Sequence, residues 1–229
     1  KIVSQAHIDG FYYKPRADKE LLHKHRKGLI ALSGCLAGEI SECLIQDNYS
    51  RARNVALELA DIFGQGNFFL EIQDHGLNDQ RRVNLGLRKL HVETGIPLVA
   101  TNDVHYIRRE DAFIQDVLLC IQTGKTLADA NRMSFEGKEF YLKSRQEMDL
   151  LFGETPEVLT LTNEIAERCK VDFTFGKHYL PEYQVPEGCT LDEYLCELCW
   201  KAFPIFYPGA SEEERQRLTY ELDVIIQTG

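Results

Sequence analysis

An acid and an imidazole stand two residues apart at the end of the apolar run in "PLVATNDVHY" (97–106), as Asp103 and His105. On an extended strand, positions two apart project to the same face, so both side chains could address one metal ion or one reacting atom. A carboxylate with an imidazole suits Zn, Mn or Fe, and a thiolate joining them would shift the preference toward softer ions. Cys35, closing "GLIALSGC", is the candidate thiolate, and "FFLEIQDHG" sets Asp74 and His75 at the equivalent place. Each has a plainer reading as well. Asp or Asn after a strand is common turn chemistry, a single Cys is usually a small buried hydrophobe, and Glu71, between Leu70 and Ile72, could face solvent. Asn102 is expected to hold the loop through side chain to backbone bonds, and His75 reads equally as a loop residue or a ligand.

What raises the chemical reading is the repeated frame around these residues. A short apolar run, a polar turn and an amphipathic helix recur: "GLIALSGC" before helical stretches at 36–45 and 50–63, "NFFLEIQDHG" before "DQRRVNLGLRKLHVETG", and "IPLVATND" before "EDAFIQDVLLCIQTG". This alternation predicts parallel strands joined by crossover helices, in which the loops leaving the carboxyl ends of the strands form the site. Cys35, Asp74 with His75, and Asp103 with His105 all fall at that end. "EFYLKSRQEMDLLFG" predicts a strand and a short helix, and "TPEVLTLTNEIAERC" a helix with Thr155 as N-cap and Pro156 in its first position. Near Lys170 the rhythm gives way to an aromatic, Gly- and Pro-rich stretch, where a domain boundary is expected. The tail predicts two helices broken at Pro208-Gly209.

Other patterns carry less. His23 and His25 in "HKH" lie in a helix-like run, where residues two apart do not share a face. "TGKT" (123–126) copies the end of a phosphate loop, but Leu119 stands where that motif needs Gly, so it predicts a turn. Cys196 and Cys199 have no second ligand pair at zinc spacing and sit in a helix-like stretch. His7, His91 and His178 stand alone and read as structural or exposed.

The 229 residues, 44% of them hydrophobic, suffice for a substantial core. No apolar run approaches the roughly 18 residues of a membrane span, and seven scattered cysteines fit reduced thiols in a cytoplasm. A net charge of −10 argues against a dedicated nucleic-acid grip within these residues. The chain begins with Lys1 and stops inside a helix-like pattern, and so reads as an excerpt.

"GFYYKPR", "GLIALSGCLAGEI", "FFLEIQDHG", "PLVATNDVHY", "DVLLCIQTGKTLAD", "EFYLKSRQEM", "NEIAERC" and "YELDVIIQTG" resemble, in order, motifs of the alpha subunits of bacterial DNA polymerase III. The resemblance implies an α/β fold. Residues 1–170 would be the later part of a polymerase and histidinol phosphatase (PHP) domain, a distorted β/α barrel whose N-terminal strands lie upstream. Residues 171–229 would be the mainly helical start of the palm and thumb region. It further implies a parent enzyme that is a DNA-directed DNA polymerase, a nucleotidyltransferase of DNA replication whose catalytic carboxylates and Mg ions lie outside this segment. Its partners would be primer-template DNA, deoxynucleoside triphosphates, the sliding clamp, the clamp loader and proofreading subunits.

By the same resemblance the late PHP metal ligands fall on Cys35, Asp103 and His105, with the early ligands upstream of Lys1. His75, Asn102 and Glu71 become supporting candidates. A Zn, Mn or Fe centre there would give 3′ to 5′ exonuclease activity. Two alternatives stand beside this: a stand-alone PHP phosphoesterase, and a non-catalytic scaffold that docks a proofreading subunit.

Overall fold

The computed structural model describes residues 1–177, 181 and 183–228. They fall into two compact units, 1–171 and 172–229.

The first unit opens with α1 (Ile2–Ile8), a small antiparallel pair β1 (Phe11–Tyr12) and β2 (Lys14–Pro15), and α2 (Lys19–His25), which Asp18 caps by accepting from the Leu21 amide. Its centre is a three-stranded parallel sheet of β3 (Ala31–Leu32), β4 (Phe68–Ile72) and β5 (Leu98–Ala100), in the order β3-β4-β5. Between β3 and β4 run α3 (Glu39–Ile45) and α4 (Tyr49–Phe63), and between β4 and β5 runs α5 (Asn78–Thr94). The alternation of apolar runs with amphipathic stretches therefore becomes strand, crossover and parallel strand.

Phe68, Leu70 and Ile72 of β4, with Leu98 and Ala100 of β5, enter one buried cluster with Ile40, Val55, Leu87 and Leu90 from the three helices. Residues of opposite parity, Phe69 and Val99, lie outside that cluster, as the two-residue period of a strand requires. Gly95, at φ 73, closes α5 with its amide on the His91 carbonyl, a left-handed cap that a side chain would strain.

Beyond β5 a 3-10 turn, Arg109–Asp111, leads into α6 (Ala112–Thr123), then α7 (Arg145–Phe152) and α8 (Glu157–Arg168). The strand predicted in "EFYLK" is reduced to one parallel bridge, Tyr106 with Tyr141. α8 starts one residue later than predicted, with Pro156 as its N-cap. Thr155 does not cap through its side chain; its hydroxyl instead accepts from Arg88 Nη1 at 2.8 Å. α8 packs on β5, and Thr162 Oγ1 donates to the Ala100 carbonyl at 3.1 Å.

The second unit contains α9 (Leu191–Phe206) and α10 (Glu212–Thr228), separated by the Pro208-Gly209 break. Thr190 and Glu193 form a reciprocal capping box that starts α9. Among the described residues of this unit the buried hydrophobics are Phe203 and Leu222, and Phe203 stacks on Tyr207 at 5.3 Å. No helix of the described residues is long and apolar enough to cross a membrane.

Candidate metal centre

Because β3, β4 and β5 are parallel, the loops after them leave from one edge of the sheet, and these loops carry Cys35, Asp74 with His75, and Asp103 with His105. Asp103 and His105 are brought together: Oδ1 of Asp103 lies 3.9 Å from Nδ1 of His105. They do not meet by strand alternation, however. β5 ends at Ala100, and Asp103 adopts φ 44, in the left-handed region that few side chains other than Asn and Asp enter readily. The chain is pulled out of the strand by Asn102, whose Nδ2 donates to the carbonyls of Tyr141 at 2.6 Å and Glu139 at 3.3 Å. The His105 amide bonds the Phe140 carbonyl at 2.8 Å. Thus Asn102 does hold the loop, by bridging to the 139–141 segment.

His105 Nδ1 lies 2.7 Å from the Asp103 carbonyl oxygen. With Nδ1–H donated there, Nε2 carries the free lone pair, which is the arrangement seen when histidine ligates a metal and a backbone carbonyl fixes its tautomer. The ring is steadied by Phe135 at 4.4 Å and Phe140 at 5.8 Å between centroids. Asn102 Oδ1 is buried with no hydrogen-bond partner, so one acceptor in this loop is unspent.

Cys35 is exposed on its own loop. Two strand spacings separate β3 from β5, on the order of 10 Å, and β4 stands between them. Among the described residues no group of three or more His, Cys, Asp or Glu side chains is close enough to hold an ion. The donor types, a thiol, a carboxylate and an imidazole with one free nitrogen, fit a transition metal; the pair at 103 and 105 is assembled, and the thiol stands apart on the same edge.

Glu71 lies between these arms. It is half-buried and spans the sheet: Oε2 accepts from the Gly34 amide at 3.2 Å, Oε1 accepts from Gln73 Nε2 at 3.0 Å and from the Thr101 hydroxyl, and its own amide donates to Ser33 Oγ at 2.8 Å. It thereby grips the residue before Cys35 and the residue two before Asp103.

His75 is 3% exposed, and both ring nitrogens are engaged. Nε2 donates to the Asn102 carbonyl at 2.8 Å, and Nδ1 accepts from Gln80 Nε2 at 2.7 Å. Burial, the largest influence, holds its pKa below the usual 6.5 and keeps it neutral. With no lone pair left, it positions the 102 loop and is not free to ligate.

Gln80, Gln73 and Thr101 were not singled out from the sequence. One signal was present for Gln80: with Val83, Leu87 and Leu90 it occupies the buried stripe of α5, and a polar residue on such a stripe marks a buried bond. The isolated histidines behave as read where they are described: His91 Nδ1 meets the Ile96 carbonyl at 2.8 Å, and His7 Nδ1 the Val3 carbonyl at 2.9 Å on the surface. His178 lies outside the described residues.

Residues 1–75 match the PHP domain, a stretch that contains Cys35, Glu71 and His75. DNA polymerase III subunit alpha of Treponema pallidum (strain Nichols) is 45% identical over 225 residues, 98% of this chain and 19% of that protein. The chain is homologous to a segment of the DNA polymerase III alpha subunits. The Borreliella burgdorferi subunit is 44% identical over all of this chain and 20% of its own length, and that of Thermus aquaticus 42% identical over 93% and 18%. The chain therefore spans about a fifth of the alpha subunits it matches.

Proposed function

We propose that this chain is part of a replicative DNA polymerase alpha subunit, a cytoplasmic enzyme that extends primers on template DNA from deoxynucleoside triphosphates. The observation that carries this reading is coverage: identities of 42–45% run through nearly the whole chain, both units included. In it, residues 1–170 form the later part of a PHP β/α barrel and residues 171–229 begin the palm and thumb region. The carboxylates and Mg ions of nucleotidyl transfer lie elsewhere in the longer protein, as do the surfaces for the sliding clamp, clamp loader and proofreading subunits.

Within the first unit, Cys35, Asp103 and His105 would hold Zn, Mn or Fe, completed by ligands from outside the segment. The metal would polarise a phosphodiester and promote water attack. His105 offers Nε2 with its tautomer set by the Asp103 carbonyl, and Asp103 offers an anionic oxygen beside it. Glu71 and Asn102 orient the two loops, and neutral His75 braces the second without adding positive charge near the ion. In the reaction, water oxygen bonds to phosphorus and the bond from phosphorus to the O3′ of the preceding nucleotide breaks. O3′ takes up a proton, leaving a nucleoside 5′-monophosphate and a strand one unit shorter.

Metal analysis and strand-trimming assays on the full-length protein, comparing wild type with Asp103→Ala and His105→Ala, test this. Loss of metal together with trimming is expected; metal loss with unchanged trimming rejects the catalytic role. A second reading, a scaffold that docks a proofreading subunit, is favoured by the distance of Cys35 from the other two ligands, and trimming absent from metal-loaded wild type would select it.

A further inference from the structure

Between Gly124 and α7 the chain has no regular secondary structure among its described residues, yet it is held in place. Arg132 forms a bidentate pair with Asp116 of α6, Nη2 lying 2.8 Å from Oδ2, and Phe135 packs its ring on that of His105. Under this segment lies a cavity of about 310 Å³, lined by Tyr106, Phe113, Asp116, Arg132, Ser134, Phe135 and Lys138 among others. It adjoins the candidate centre directly, since Tyr106 follows His105 in the chain and Phe135 touches the His105 ring.

The polar inventory of this cavity is one-sided. Both Asp116 oxygens are taken by Arg132, whereas that pair and a contact to Cys120 use only part of the guanidinium's five donors. Lys138 and Ser134 are exposed and make no hydrogen bond or ion pair among the described residues. The unspent charged groups are thus donors, the Ser134 hydroxyl can donate as well as accept, and the charges of Arg132, Asp116 and Lys138 leave a local excess of one positive charge in a chain of net charge −10. Beside them Phe113 is 64% exposed, an open aromatic face. Free donors next to an exposed aromatic ring are the elements that bind a phosphate and stack a base in single-stranded nucleic acid. The volume lies at the lower end of small-ligand sites, roughly 300–1,000 Å³, enough for one nucleotide unit and too small for a duplex.

We propose that this cavity binds one nucleotide of a single strand, the unit retained after cleavage, with its base on Phe113 and its phosphate on Lys138, Ser134 and Arg132. The retained unit is chosen because the terminal nucleotide has only the phosphate under attack, which belongs at Asp103 and His105; the donors here need a second phosphate. The assignment of cleavage to that centre is the reading on which the proposal rests.

The test uses the full-length protein and a single-stranded oligodeoxynucleotide with 4-thiothymidine at its penultimate 3′ position. In chelator, irradiation should attach the probe at Phe113 or Phe135, mapped by mass spectrometry. Phe113→Ala and Lys138→Gln should each lower the yield about tenfold, while Lys125→Gln, an exposed lysine outside the cavity, should not. With metal restored, the first two variants should raise the KM for trimming about tenfold at unchanged kcat and metal content. Attachment elsewhere, or a yield indifferent to both substitutions, overturns the proposal. Attachment at the cavity by a wild type that trims nothing upholds binding and removes the cleavage reading; trimming without attachment there does the reverse.

Discussion

The loop after β4 and the loop after β5 carry the same chemical types, Asp74 with His75 and Asp103 with His105, at the same edge of one parallel sheet. They are used in opposite ways. His75 is buried, stacked 4.0 Å from Phe140, and saturated by Gln80 and the Asn102 carbonyl; Asp74 spends Oδ1 on the Gly76 amide two residues on, a local turn. His105 keeps one ring nitrogen, Nε2, with no hydrogen-bond partner among the described residues, and Asp103 stands beside it in a left-handed conformation. Residue type at a strand end therefore does not make a ligand. What matters is whether the neighbours have already consumed the lone pair, and the first loop consumes its own in order to hold the second.

That contrast can be broken most forcefully at His75. His75→Ala would leave the Gln80 amide and the Asn102 carbonyl unpaired in a buried site and should lower stability by about 2–4 kcal/mol, read as a drop in the denaturant midpoint of the first unit. His105→Ala should cost less, about 1 kcal/mol by the same measure, because it gives up ring contacts with Phe135 and Phe140 but leaves no buried polar partner unpaired, while lowering metal affinity. Equal stability losses would erase the distinction.

Asp103→Asn sharpens the other half. Asn enters the left-handed region as readily as Asp, so the fold should hold, whereas loss of the anionic oxygen should weaken metal binding by at least about tenfold in a competition titration. A variant that binds as tightly as wild type would remove Asp103 from the ligand set.

The buried imidazole also predicts a pH signature. Its pKa is lowered in the folded state, so the unfolded chain binds the proton more readily below pH 6.5. The stability that His75 supplies is complete above that value and is lost as pH falls through 6.5 toward the lowered folded pKa. Melting temperature should therefore fall between pH 7.5 and 5.5, and fall less in His75→Gln; identical profiles would assign the dependence to other groups. The smallest effect concerns Cys35. Iodoacetamide should label this exposed thiol and spare buried Cys43 and Cys120, and bound metal should slow labelling of Cys35 alone among the three. Labelling indifferent to metal would detach the thiol from the centre.

Much of this architecture is legible in the sequence because it rests on local periodicity. Val83, Leu87 and Leu90 mark the buried face of α5, Gly95 and Gly124 end helices where left-handed caps are needed, and "FFLEI" alternates between two faces. "EFYLK" has the alternation of a strand but forms only one bridge, Tyr106 with Tyr141, because its pairing depends on a loop thirty-odd residues away. Asp103 was expected to share a strand face with His105, but the strand has already ended, since Asn102 finds better partners in the carbonyls of residues 139 and 141.

The sequence by itself determined the order of strands and helices, the edge at which reactive side chains leave the sheet, and the kinship with the alpha subunits, because all three are written in short-range patterns and ordered motifs. The tertiary structure alone decided which histidine is free and which is consumed, that Glu71 ties the two arms across β4, and that a donor-rich cavity opens beside His105. The physical reason is that a lone pair is spent by whichever donor comes within about 3 Å of it. Of the donors that matter here, Gln80 reaches His75 from only five residues away, on a stripe its helix already marks, but Thr101 and the Gly34 amide are brought to Glu71 by the packing of strands rather than by any pattern a strand writes into its own residues.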